Sequence, residues 1–169
     1  MSRLWPAVVA ALCGACGYTL QGHGTFLPPE VRSIGVPPFI NHTGRPELEQ
    51  RITEEILRQL QTRSRRRTTS TETGVDAVLR GEVVSYRQTP VEFNPDGRAR
   101  SIEVVITARA RLVPSAGGDV LWASDHFVFR EAYPVGEEAA TFVDTESVAL
   151  QRVASYFAEA VVTSLLEGF

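Results

Sequence analysis

The chain has 169 residues, a length that fits one domain able to bury its own core. Charged residues make up 22% of the sequence and hydrophobic residues 43%, which is ordinary for a globular protein. The formal net charge of −3 lacks the basic excess of nucleic-acid-binding proteins, so we expect no nucleic-acid partner.

Residues 1–15 are predicted to be a signal peptide. The short basic start MSR precedes the run LWPAVVAALCGA, which is too short to cross a membrane as a helix. Small residues end the run, as at a processing site. Leu12-Cys13-Gly14-Ala15 followed by Cys16 resembles the lipobox of bacterial lipoproteins, in which cleavage occurs directly before the modified cysteine.

The pair Cys13 and Cys16 fits other cysteine chemistry poorly. A redox dithiol of this spacing normally follows a strand, and no strand precedes this pair. The three histidines are scattered along the chain and do not complete a zinc site. A disulfide across two residues would be strained. The lipobox implies that Cys16 carries acyl chains such as palmitate, and two or more chains anchor a protein stably. In the general sorting rule for bacterial lipoproteins, Asp directly after the modified cysteine favours retention in the inner membrane. Gly17 occupies this position here, so we expect the outer membrane.

After Cys16, residues 16–30 are predicted to be a tether rich in Gly and Pro, and residues 31–169 a single domain. VRSIGVPPF then predicts a short strand that ends at Pro37 and Pro38. A helix follows Pro46, with an apolar face of the residues Leu48, Ile52, Ile56, Leu57 and Leu60.

The helix ends in the densest basic cluster of the chain, RSRRR, which includes Arg65, Arg66 and Arg67. The cluster fits either a charged helix terminus that leads into a loop or a contact with anionic lipid or lipopolysaccharide phosphate. Every basic residue of the chain is Arg, a bias that fits GC-rich codon usage or bidentate phosphate binding.

Beyond a polar loop, TTSTETGVD, three alternating segments predict an antiparallel meander with one polar face. The first begins at Ala77, and Asp96-Gly97 predicts a turn before the second, IEVVITARARLV. The third is VLWASDHFVFRE. The predicted outer face carries the residues Arg80, Glu82, Glu103, Thr107, Arg109 and Arg111.

The tail from about Asp144 to Glu167 predicts a second amphipathic helix. The expected fold is therefore α+β: a two-layer sandwich with two amphipathic helices on one face of a roughly four-stranded, mostly antiparallel sheet.

The sequence contains no catalytic motif, and we expect no enzyme, no cofactor and no metal site. It lacks G-x-S-x-G, H-E-x-x-H and P-loop patterns. Asp125 and His126 are neighbours in a strand and point to opposite faces. Glu54 and Glu55 are expected on the solvated side of the first helix.

Short motifs lie along the mature chain in the order Cys16-Gly17-Tyr18-Thr19-Leu20 with Gly22, Leu27-Pro28-Pro29, Ile34-Gly35-Val36-Pro37-Pro38-Phe39 with Asn41, Leu48-Glu49, Asp76-Ala77-Val78-Leu79, Gly81-Glu82-Val83, Ser85-Tyr86 and Val120-Leu121-Trp122. Their order and spacing resemble the LptE family of lipopolysaccharide-assembly lipoproteins.

The resemblance implies an outer-membrane lipoprotein that plugs the β-barrel protein LptD, assists its assembly, and helps to deliver lipopolysaccharide to the outer leaflet. It maps the lipid anchor onto Cys16 and places the domain on the periplasmic side or inside the barrel lumen. Arg98 and Arg100 of the hairpin, with Arg65, Arg66 and Arg67, are candidate lipopolysaccharide contacts. The alternative is a periplasmic partner-binding regulator similar to LpoB or to curli-secretion lipoproteins, suggested by IGVPPFIN before a helix.

Overall fold

The computed structural model describes residues 27–135 and 139–168, with side chains described for residues 27–135 and 146–168. The signal peptide, Cys16, Gly17, Tyr18 and Leu20 lie outside the described residues. The elements, in chain order, are β1 (Ser33–Gly35), β2 (Ile40–Asn41), α1 (Leu48–Arg63), β3 (Arg67–Thr69), β4 (Ala77–Phe93), β5 (Ala99–Pro114), β6 (Trp122–Pro134) and α2 (Ala139–Glu167).

The strands form one mixed sheet in the order β3-β1-β4-β5-β6, with β2 also paired to β4. The short strands β1, β2 and β3 pair in parallel, whereas β4, β5 and β6 form an antiparallel meander. The two helices pack against this sheet, which confirms the predicted α+β class. The sheet has more strands than predicted, because β2 and β3 contain only two and three residues, too few to show alternation. β3 takes up part of the predicted polar loop.

The first helix, α1, presents the predicted apolar face. The side chains of Leu48, Ile52, Ile56 and Leu60 are all buried, and Leu57 is partly buried beside them. The residue before the helix, Glu47, has a φ of 67°, the left-handed region that non-glycine residues seldom adopt. The helix therefore begins at Leu48 without a side-chain cap.

The second helix, α2, begins at Ala139, before the predicted start near Asp144. Alanine favours helix strongly, so Ala139 and Ala140 extend the helix in front of the more polar residues. Its described apolar face is buried, as predicted, through the residues Val153, Ala154, Phe157, Ala158, Val161 and Leu165, with Leu150 partly buried.

The strands of the meander alternate as predicted. Val104, Ile106 and Leu112 of β5 are fully buried, whereas Arg109 and Arg111 are exposed on the opposite face. On β4, Gly81 is required, because a Cβ there would lie 2.0 Å from the ring of Phe39. Phe39 in turn meets Phe157 edge to face, so the sheet and α2 are locked together at this point.

The two helices run in the same direction but differ in length. Arg45, just before α1, contacts Glu146 near the start of α2, and farther along Gln59 binds the carbonyl oxygen of Ser155. α1 has 16 residues and α2 has 29, which correspond to about 24 and 44 Å. We call the half of the sheet under both helices, including β1, β3 and residues 77–83, the proximal half. The distal half contains residues 85–93, 99–107 and 128–134, beyond the start of α1.

Candidate functional site

The sheet face opposite the helices is open and carries paired charges. Glu82 lies across the strands from Arg109, with 2.7 Å between their charged atoms, and His42 approaches the same carboxylate at 3.0 Å. The Arg109 guanidinium, followed by His42, holds the pKa of Glu82 below its ordinary value. Arg80 pairs with Glu72 at 2.7 Å. Three of the six predicted outer positions, Arg80, Glu82 and Arg109, therefore carry paired charges.

The β4–β5 hairpin carries Arg98 and Arg100 to the distal end of the molecule. Its turn closes through the backbone of Asn94, whose N–H donates to the carbonyl of Arg98 at 2.9 Å, and Gly97 supplies the positive φ of 78°. Beside the two exposed arginines, Phe93 is 63% exposed and Val91 is 46% exposed. The hairpin tip therefore combines cationic and apolar groups that both face solvent.

The second candidate cluster, Arg65 to Arg67, has a different character. Arg66 donates from Nε to the carbonyl of Val31 at 2.6 Å and from Nη2 to that of Leu27 at 3.1 Å. Arg67 belongs to β3 and donates to the carbonyl of Gly74 at 2.8 Å. Arg65 alone in this trio is exposed with no side-chain hydrogen bond among the described residues. Two of the three guanidinium groups thus hold the main chain.

The structure does not bring the two arginine clusters together. Arg67 pairs with Ser33 at the proximal end of the sheet, where β4 also starts, and the hairpin tip follows the far end of β4. The 17 residues of β4 span on the order of 50 Å at the ordinary rise of a strand. A single phosphate group cannot contact both clusters.

A polar network around a buried carboxylate lies in the distal half, and the sequence motifs do not predict it. Glu146 of α2 is 9% exposed and accepts hydrogen bonds from Arg45, from the Tyr86 hydroxyl at 3.0 Å and from Gln88 at 2.6 Å. Gln88 also binds the hydroxyl of Tyr133 at 3.0 Å. Burial raises the pKa of Tyr86, and its hydrogen bond to Glu146 raises it further.

The signal for this network was present in the helical spacing. Glu146 stands three residues before Ala149 and seven before Val153, so it lies in phase with the apolar stripe of α2. A carboxylate at such a position is buried and needs partners. Its hydrogen-bond partners come from two other segments, the residues before α1 and β4, a combination that spacing alone cannot reveal.

Glu55 departs from the expectation that it lies on the solvated side of α1. Its side chain is buried and accepts hydrogen bonds from Arg58, Gln59 and, across the helix pair, the hydroxyl of Ser155 at 3.1 Å. The Arg58 guanidinium lowers the pKa of Glu55 despite burial. Glu55 therefore connects the two helices through a hydrogen bond.

Two kinds of feature are absent from the described residues: a cluster of metal ligands and a helix that could span a membrane. Within residues 27–135 and 146–168, no group of three His, Cys, Asp or Glu side chains is arranged to hold a metal ion. Neither described helix combines the length and apolar character needed to cross a bilayer.

Comparison with known proteins identifies a family and a fold. Residues 31–165 match the family described as LptE, lipopolysaccharide-assembly. Among solved structures, rare lipoprotein B from Shewanella oneidensis is similar, with a TM-score of 0.56 at 12% identity, over 79% of this chain and 92% of that one.

Two further solved structures are similar in fold. Lipoprotein B from Nitrosomonas europaea gives a TM-score of 0.53 at 14% identity, over 84% of this chain and 90% of that chain. A lipoprotein from Caulobacter crescentus gives 0.53 at 12% identity, over 76% and 87%. No curated protein matches this chain in sequence.

Proposed function

Because this chain belongs to the LptE family of lipopolysaccharide-assembly proteins, we propose that it is an outer-membrane lipoprotein that plugs an LptD-like β-barrel, assists its assembly and takes part in delivering lipopolysaccharide to the outer leaflet. The observation that carries this proposal is the family match, which covers residues 31–165. The protein acts by binding and assembly rather than by catalysis. The lipid anchor is Cys16, and the domain lies on the periplasmic side or inside the lumen.

The open sheet face supports a place inside a barrel. The lumen of an outer-membrane barrel is polar, so an element inside it should present charged and hydrogen-bonding side chains. On this face, Glu82 forms an ion pair with Arg109, and Arg80 forms one with Glu72. The two ion pairs neutralise four charges on this face, which suits contact with hydrated walls.

The hairpin tip is the better of the two candidate lipopolysaccharide contacts. Arg98 and Arg100 have no ion pair among the described side chains, so their guanidinium groups are available to phosphate. Phe93 and Val91 beside them offer apolar surface for acyl chains. Arg66 and Arg67, in contrast, are committed to backbone carbonyls. We therefore assign lipopolysaccharide contact to the hairpin and leave Arg65 as the free member of the proximal cluster.

The test uses the full-length acylated protein in cells whose own copy is depleted. Wild-type protein is expected to co-purify with a large outer-membrane β-barrel and to restore surface lipopolysaccharide. Replacing both hairpin arginines, R98Q with R100Q, should keep the barrel bound but lower photo-crosslinking to lipopolysaccharide several-fold. The matched control is R65Q, which removes one exposed arginine and should leave crosslinking unchanged.

Two results would overturn parts of this proposal. Recovery of the protein without any barrel partner, together with unchanged surface lipopolysaccharide on depletion, would support the alternative of a periplasmic regulator of another enzyme or secretion system. Equal crosslinking by R98Q/R100Q and wild type would remove the hairpin as the contact.

A further inference from the structure

The first described residues of the chain are packed rather than loose. Leu27 is 3% exposed and Val31 is 7% exposed, and both belong to the main hydrophobic core. Between them, the N–H of Val31 donates to the carbonyl of Pro28 at 3.1 Å and closes a turn. The chain thus makes fixed contacts with the domain before β1 begins at Ser33.

One guanidinium group holds this turn at both ends. Arg66 lies between the end of α1 and the start of β3, and its side chain donates to the carbonyls of both Leu27 and Val31. A planar guanidinium presents several N–H donors in a fixed fork, so it can join two carbonyls that a single point charge could not. The contact orders the turn and satisfies its carbonyl groups.

A carboxylate holds the next two residues. Asp76 Oδ2 accepts hydrogen bonds from the N–H of Arg32 at 2.9 Å, the N–H of Ser33 at 2.8 Å and the Ser33 hydroxyl at 2.7 Å. In return, the N–H of Asp76 donates to the Ser33 hydroxyl at 3.0 Å. The hydroxyl of Ser33, followed by the N–H of Arg32, lowers the pKa of Asp76, so the carboxylate is charged at neutral pH.

These two side chains come from different parts of the fold and act on the same seven residues, 27–33. We propose that Arg66 and Asp76 form a two-point clamp that fixes where the N-terminal segment leaves the domain. The membrane anchor is then coupled mechanically to β1 and β4 from Leu27 onward. The mechanical role rests on the proposed lipid attachment at Cys16.

The clamp limits how far the domain can move from the membrane. Between Cys16 and Leu27 lie 10 residues, 17–26, whose fully extended length is at most about 35 Å. Release of residues 27–32 would add six residues and about 20 Å of reach. An intact clamp therefore keeps the proximal end of the sheet within the reach of this short tether from the anchored Cys16.

Amide hydrogen exchange on the full-length acylated protein in detergent or lipid nanodiscs tests the clamp directly. R66Q and D76N should each accelerate exchange at residues 31–33 about tenfold, because each removes charge-assisted hydrogen bonds to this segment. The matched controls are R65Q and D96N, which change an exposed arginine and an exposed turn aspartate and should leave that exchange unchanged. Exchange at residues 104–110 of β5 reports global folding and should stay slow in all four variants.

A second measurement tests how far the domain can move from the membrane. A spin label at the exposed position 70, near β3, should lie within range of a paramagnetic lipid headgroup in wild type and should lose this proximity in the R66Q/D76N double variant. If exchange at residues 31–33 does not change in R66Q or D76N, there is no clamp. If that exchange rises but the label stays equally close to the lipid, the clamp does not set the reach.

The outcome is separable from the proposed function. Exchange at residues 31–33 reports on Arg66 and Asp76 whatever Cys16 carries, whereas loss of membrane attachment in C16A tests the anchor alone.

Discussion

The proximal and distal halves of the sheet are covered in different ways. In the proximal half, two parallel helices bury apolar side chains, with the ring of Phe157 within 5.4–6.0 Å of the rings of Phe39 and Phe127. In the distal half, α1 is absent and β4 is exposed from Arg87 to Phe93. There, the buried carboxylate of Glu146 gathers Arg45, Tyr86 and Gln88.

Along its length, α2 therefore makes two kinds of contact with the sheet, apolar packing in the proximal half and hydrogen bonds in the distal half. Apolar packing gives the proximal half its stability, since burial of each large side chain contributes about 1.5–3 kcal/mol. A hydrogen-bonded network adds little net stability but specifies one arrangement, because its donors and acceptors fit only one register. We interpret Glu146 as the residue that sets how α2 lies on the distal strands.

The largest expected effect is in the proximal core. F157A removes a fully buried ring that contacts three others and should lower the free energy of unfolding by about 3–5 kcal/mol. Urea denaturation followed by circular dichroism measures this. The neighbouring Tyr156 is 52% exposed, and Y156A should change stability by less than about 0.5 kcal/mol. Equal losses in the two variants would contradict the assignment of Phe157 to the core.

A close contact in the same half gives the next effect. G81A places a Cβ within 2.0–2.4 Å of three ring atoms of Phe39, so the ring must shift, at a cost of about 1–3 kcal/mol. G44A is the control, because no heavy atom lies within 4 Å of a Cβ there. A thermal melt that placed the midpoint of G81A at or above that of G44A would show that the Phe39 contact is not restrictive.

In the distal half, the effect should be smaller and local. E146Q keeps the size of the side chain but removes its charge from Arg45, Tyr86 and Gln88, and should cost about 1–2 kcal/mol. Hydrogen exchange should accelerate at residues 146–149 of α2 more than at residues 157–165. E159Q changes an exposed glutamate of the same helix and serves as the control. Uniform acceleration along α2 would mean that the halves are not separable.

The smallest effect concerns pH and the joint between the helices. The pKa of Glu55 is lowered in the folded state, so the charged carboxylate stabilises the fold above its ordinary pKa of about 4.3. That contribution is lost as the pH falls through the lowered value. E55Q should therefore flatten the acid side of the stability curve, with a loss below about 1 kcal/mol at pH 7. Urea midpoints between pH 3 and 7 measure this, and E54Q should retain the wild-type slope.

The elements with regular spacing are the ones that the sequence predicts well. Helical spacing of Leu48, Ile52 and Ile56 and the alternation of β5 are each determined by neighbours in the chain, so pattern alone places them. The class of fold follows from these elements. The short strand β3 cannot be foreseen in this way, because its three residues become a strand only through pairing with β1.

The site was less predictable, for a related reason. The sequence indicated arginine clusters after the first helix and in the hairpin before the second strand of the meander, but not which side chains are engaged. Arg66 resembles Arg65 in sequence, yet only Arg66 reaches the carbonyls of Leu27 and Val31, 39 and 35 residues away. Glu146 likewise binds residues 58 to 101 positions earlier. Such long-range partners are set by the tertiary fold.

Under the proposed anchoring at Cys16, the length of β4 has a consequence for where the domain can act. The strand runs without interruption by a loop from Ala77 to Phe93, on the order of 50 Å. The hydrocarbon layer of a bilayer is about 30 Å thick. A domain that stands upright inside a barrel, with its tether held at the inner rim, would therefore carry Phe93 and Arg98 past the far side of the hydrocarbon layer. In that orientation, one continuous sheet would connect the two surfaces of the membrane.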